Sequence, residues 1–215
     1  VGFAIYGADP YVTFNRAESR SVPPRADAPW QYPLLVAHVF AGVVTICLAW
    51  IQVWPWLRTH HPRAHRRIGW VFLMAGAFPA GLLSFPVAIV STAGQSFRLS
   101  LLTLAVLWLA ATVLGFVAGL QRRLGDHRKW MLRNVALATV VITARPVSYA
   151  NLYLMHGLFP HTYPLGYLAV AQMKSLGIWF SIVLHLVIVE WFVLGRRRSR
   201  RPTATRKRVA ADLAG

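Results

Sequence analysis

Residues Pro33–Leu57 read PLLVAHVFAGVVTICLAWIQVWPWL, and residues 58–67 then read RTHHPRAHRR. The first stretch is free of Asp, Glu, Lys and Arg. As a helix rising 1.5 Å per residue, it is long enough to cross the ~30 Å of bilayer hydrocarbon. The second stretch sets four arginines within ten residues. A long apolar run stopped by a basic cluster is the pattern of a transmembrane helix meeting lipid headgroups.

Four more stretches repeat the theme: Ile68–Val90, Leu99–Leu120, Met131–Leu154 and Leu176–Leu194. Each is about 20 residues or more, enough to span. The expected fold is therefore all-α, a polytopic transmembrane helix bundle with five complete spans. Residues 34–195 form the bundle and 196–215 a basic cytoplasmic tail. Residues 1–33 hold the remnant of a further span and an external segment. Only 13% of the 215 residues are charged and 56% are hydrophobic, where a soluble domain carries about 25% charged residues. No Gly/Ser- or Pro-rich linker marks off a second domain.

The net charge of +17 raises nucleic-acid binding, and its placement argues against it. Seventeen of the 23 Lys and Arg fall in Arg58–Arg67, Arg122–Arg133 and Arg196–Arg208. Alternating spans put these three segments on one side, the positive-inside pattern. The expected location is a bacterial cytoplasmic membrane with the C-terminus in the cytoplasm. The tail abutting the last span is expected to attract anionic lipid headgroups. This orientation needs something to carry the N-terminus across. Val1–Ala8 is short and apolar, and reads as the remnant of an N-terminal span or signal segment. The single cysteine, Cys47, excludes an intrachain disulfide.

Aromatic residues gather at span ends, as an interfacial belt requires. Trp30, Tyr32, Trp54, Trp56, Trp70 and Trp130 flank spans, and Tyr149, Tyr153, Tyr163 and Tyr167 lie toward the outer face. A weak repeat is also visible, in which a span, a basic loop, a His-Arg pair and another span occur twice. Two such hairpins would pack as a four-helix bundle with the fifth helix against it.

Ionisable groups inside spans are expensive and mark candidate sites. His38, Gly42, Thr45, Ala49 and Gln52 share one helical face, either a tight packing stripe or a ligand surface. His65 and Gly69 repeat the His-x-x-x-Gly spacing. A glycine one turn from a histidine leaves room for a flat group, and haem held by axial histidine is such a group. His127 opens the fourth helix at the same inner depth as His65. Arg145 shares its face and is expected to be deep and turned inward, meeting a carbonyl, a propionate or an anionic substrate. Asn151 is an alternative structural partner for it. His185 stands in the last span, where ligand, proton carrier and hydrogen-bonded core residue are all open. Glu190 is expected to bond Arg128 or Arg133. His60, His61 and His65 are set among arginines, so no metal site is expected there. No G-x-S-x-G, P-loop or H-E-x-x-H motif occurs, and six acidic residues leave little scope for paired-carboxylate chemistry.

His38-x-x-x-Gly42 with Gln52, then Pro62-Arg63-Ala64-His65-Arg66-Arg67-Ile68-Gly69, then His127-Arg128-Lys129-Trp130-Met131-Leu132-Arg133 resembles a prokaryotic family of membrane proteins, domain of unknown function 2306. The H-R-x-W-M-x-R element is the most specific part, and the resemblance covers about residues 34–195. It implies a polytopic bacterial membrane protein and no particular activity. In kind, the histidines on successive helices are also similar to b561-type di-haem membrane cytochromes. That likeness implies b-type haem for transmembrane electron transfer, with His65 and His127 as the inner pair and His38 and His185 as the outer. The third span, without histidine, departs from it. The competing reading is a non-redox small transporter or membrane-complex subunit. There Arg145, His38, Gln52 and His185 would line a polar cavity.

Overall fold

The computed structural model describes residues 2–15, 28–91, 94–162 and 167–195. The basic tail and Tyr163 lie outside the described residues. The elements are α1 (Gly2–Val12), α2 (Gln31–Val53), α3 (Pro55–His60), α4 (Pro62–Val71), α5 (Phe78–Ile89), α6 (Gln95–Leu120), α7 (Leu124–Leu158) and α8 (Tyr167–Val187). A π-helical segment, Phe72–Ala77, joins α4 to α5, and another, Ile188–Gly195, continues α8. Five rods are long and apolar enough to cross a membrane: Gln31–Val53, Pro62–Ile89, Gln95–Leu120, Leu124–Leu158 and Met173–Trp191.

Prolines set the breaks. Pro55 has no N–H to give back to the helix, so α2 stops at Val53, four residues before the apolar run ends at Leu57. Trp54 then takes extended backbone and α3 begins at Pro55. His61 breaks α3, and Pro62 starts α4. Pro79 follows the Phe72–Ala77 segment, and a wide turn is one way a helix accommodates a missing donor. Between α6 and α7 the turn is only residues 121–123. Arg122 has φ 56°, and Arg123 N–H reaches back to Ala118 O at 2.9 Å, a Schellman closure.

α2 packs against α4, the π segment and α5. α5 packs on α6, α6 on α7, and α7 touches α2, closing a four-membered ring. α8 lies outside it, against α7 and α6. α1 adds to α2 through Tyr11 against Tyr32, ring centroids 6.4 Å apart.

The interior is largely made of small residues. Ala49, Ala77, Ala80, Ala105, Ala111, Ala118 and Ala138 are buried, whereas Leu82, Val106, Leu114, Val183 and Val187 are exposed. Large apolar groups outside and small ones inside suit lipid as solvent, because close backbone approach rather than exclusion from water holds such helices together. Gly76 and Gly177 show this directly. A Cβ on Gly76 would come within 2.7 Å of Thr45 Oγ1, and one on Gly177 within 2.5 Å of Ala144 O.

Candidate functional site

The α2–α4 and α6–α7 hairpins turn at the same end of the ring, and each carries its arginine cluster there. This is the basic end of the molecule. Two histidines stand at it. His65 lies in the first turn of α4 and His127 in the first turn of α7. Their helices stand diagonally across the ring, yet the imidazoles are close enough for their charges to interact, as are those of His65 and Arg58.

The H-R-x-W-M-x-R element fixes His127. Its Nδ1 lies 2.7 Å from Gly115 O. A carbonyl can only accept, so Nδ1 carries a proton, and in the neutral ring the lone pair is then on Nε2. The ring rests on Gly119, where a Cβ would stand 2.9 Å from Nδ1. Met131 rests on Gly115 in the same way. The Arg133 guanidinium sits 4.6 Å above the Trp130 ring and bonds Glu190 at 2.5 Å. The element thus ties α6, α7 and the end of α8 together, and Glu190 takes one of the two arginines expected for it.

His65 is held differently. Gln52 Nε2 donates to His65 O at 3.2 Å, and the Gln52 amide lies against Gly69, 3.7 Å from where a Cβ would stand. The space beside Gly69, expected to receive a flat group, is thus faced by the Gln52 side chain. His65 Nδ1 and Arg128 Nε are both buried and have no hydrogen-bond partner.

The other two histidines stand at similar heights, about 20 Å from the basic-end pair by helix rise. His38 Nδ1 lies 2.9 Å from Ala80 O, which leaves Nε2 uncommitted. His185 commits both nitrogens to α7, Nδ1 to Ala136 O at 2.7 Å and Nε2 to the Thr143 hydroxyl at 3.2 Å. His185 therefore faces α7, and not His38 across the ring. It is half-buried and tied to α7 by these two hydrogen bonds.

Arg145 is exposed on the outer surface of α7, not turned inward, and it is engaged in an interaction of its own. Gly119–His127, Gly115–Met131 and Thr112–Asn134 set the α6–α7 register. Extended upward, that register puts Arg145 opposite about Leu101, near the start of α6. It is about 27 Å along α7 from His127, close to the full ~30 Å hydrocarbon thickness. An arginine at that height reaches the far interface by snorkelling. Asn151 is higher still and half-buried. Neither approaches the basic-end histidines.

The family model described as Predicted membrane protein (DUF2306) matches residues 35–193. The chain belongs to this family. No curated protein and no solved structure matches it. Membership in DUF2306 agrees with the five-span, all-α membrane architecture and names no activity. Among the described residues no three His, Cys, Asp or Glu gather as a polydentate metal site would need.

One polar cluster in this DUF2306 chain is not apparent from the sequence. Asn134 is fully buried, and its Nδ2 donates to Thr112 Oγ1 at 2.5 Å; Thr112 in turn donates to Trp108 O at 2.8 Å. Asn134 Oδ1 and Trp108 Nε1 are buried without partners. The available signal is one amide and one hydroxyl, each within an apolar run. Their pairing depends on register between two helices, which sequence spacing does not supply.

Proposed function

We propose that this membrane protein carries one b-type haem at the basic end, ligated by His65 and His127, and serves electron transfer. The observation that supports this most is the difference between the two imidazoles. His127 is oriented by its Nδ1–H bond to Gly115 O, the outer-shell contact that typically fixes a ligating histidine and raises its basicity. His65 has a buried ring nitrogen with no protein partner and lies near enough to His127 for their charges to interact. Two imidazoles from diagonal helices are a suitable donor set for a planar iron macrocycle, which when bound supplies one-electron chemistry. Arg58 and Arg128 are the nearby cations available to its propionates. Gln52 holds the backbone of the His65 turn. Arg145 and Asn151 are too far along α7 to take part.

This is a single-site reading. His185 already bonds α7 with both nitrogens, which gives no support to an outer pair with His38. The transporter reading has less support. Its lining residues would have to converge, yet Gln52 is at the basic end and Arg145 near the opposite one.

The test is a set of variants purified from haem-replete cells. His65→Ala and His127→Ala should each abolish the Soret absorption, and His185→Ala should retain it. Haem retained in both His65→Ala and His127→Ala would overturn the assignment.

A further inference from the structure

The corner between α2 and α4 carries more charge than the protein itself answers. Arg58, Arg63, Arg66 and Arg67 lie within ten residues, and no acidic residue occurs between Asp27 and Asp126. The second hairpin is answered in part, although among the described residues Arg122 and Arg128 bond no carboxylate there. Arg123 and Lys129 share Asp126, each at 3.1 Å, and Arg133 takes Glu190. The two acids described at the basic end are thus both used there. Among the described residues none of the four corner arginines bonds a carboxylate or any other acceptor.

The corner's shape is as specific as its charge. Leu57 is buried and pins α3 to the bundle, while Trp54 and Trp56 remain 56% and 46% exposed. The two indoles stand 5.2 Å apart. Trp56 also packs on two imidazoles of the corner, 5.8 Å from His60 and 4.6 Å from His61. α3 begins two residues after the apolar span Gln31–Val53 ends. It therefore sits where acyl chain gives way to headgroup, the layer that amphipathic tryptophans favour. Arginines beside an exposed indole at that height meet lipid phosphate before any other anion.

We infer that the Trp54–Arg67 corner is a binding site for the phosphate of an anionic phospholipid in the adjacent leaflet. Arg63 and Arg66 supply charge and Trp56 fixes the depth. The site draws on Arg63, Arg66 and Trp56, and not on Arg58 or His65, which the haem reading uses.

The full chain, tail included, would be reconstituted in phosphatidylcholine vesicles. Its preference for spin-labelled phosphatidylglycerol over spin-labelled phosphatidylcholine would then be measured. Arg63→Gln/Arg66→Gln should lower that preference by about fivefold for each arginine lost, about thirtyfold together. Arg123→Gln/Lys129→Gln removes equal charge from the two cations that share Asp126, and should change it less than about twofold. Trp56→Ala, which leaves the charge alone, should also lower it. Equal losses in the two double variants would reduce the effect to diffuse attraction and overturn the site. Displacement of the labelled lipid by millimolar inorganic phosphate would assign the corner to a free anion instead, and so would overturn the lipid assignment.

Discussion

Replacing Thr112 by Val removes the acceptor of the Asn134 Nδ2 bond without changing side-chain shape much. Asn134 is fully buried, and its Oδ1 already lacks a partner. The variant would leave the whole amide unsatisfied inside the bundle. A buried polar group left unpaired costs about 1–3 kcal/mol. Interhelical hydrogen bonds in membranes average nearer ~0.6 and reach about 1.7 kcal/mol, because the unfolded chain in lipid finds partners too. The expected cost of Thr112→Val is therefore about 1–1.5 kcal/mol. Asn134→Leu removes both amide groups at once and should lie within about 0.5 kcal/mol of wild type. In the Asn134→Leu background Thr112→Val should cost about 0.5 kcal/mol or less, a coupling of about 1 kcal/mol. The assay is far-UV ellipticity during titration from a mild detergent into dodecyl sulfate. Equal costs of Thr112→Val in the two backgrounds would refute the pairing, one of the three contacts that set the α6–α7 register.

Other substitutions probe separate parts of the fold. Gly177→Ala should destabilise by about 1–3 kcal/mol in the same titration, since its Cβ would press on the α7 backbone; Gly42→Ala, facing open space, should be neutral or slightly stabilising. Arg122→Gly should stabilise by up to about 1 kcal/mol, because residue 122 has positive φ. Arg133→Gln should cost more than Glu190→Gln, since Arg133 loses the Trp130 face as well as the carboxylate; equal costs would argue against the cation–π contact.

The spans are legible in the sequence because hydrophobic length is a property of the chain alone. Their ends are not. The apolar run Pro33–Leu57 passes through Pro55, where the helix breaks. The run Met131–Leu154 starts nearly two turns after α7 does. Asp126, His127, Arg128 and Lys129 are all helical, and hydropathy does not distinguish a charged interfacial helix from a loop. Counting from that late start makes Arg145 look deep. The pairing of Glu190 with Arg133 is legible because a lone acid near an arginine-rich end has few partners. The placing of His65 and His127 at one end of the bundle is legible because each stands in the first turn of a helix that follows an arginine-bearing hairpin. The engagement of His185 with Ala136 and Thr143 depends on which way a side chain faces between α7 and α8, and the sequence pattern leaves that open.

The most direct measurement of the haem proposal is the haem content of the purified full-length protein, by optical spectrum and haem extraction, after expression in haem-replete cells. The account predicts one haem per chain with the low-spin spectrum of two axial imidazoles. A colourless protein would contradict it, and two haems per chain would contradict the single-site reading.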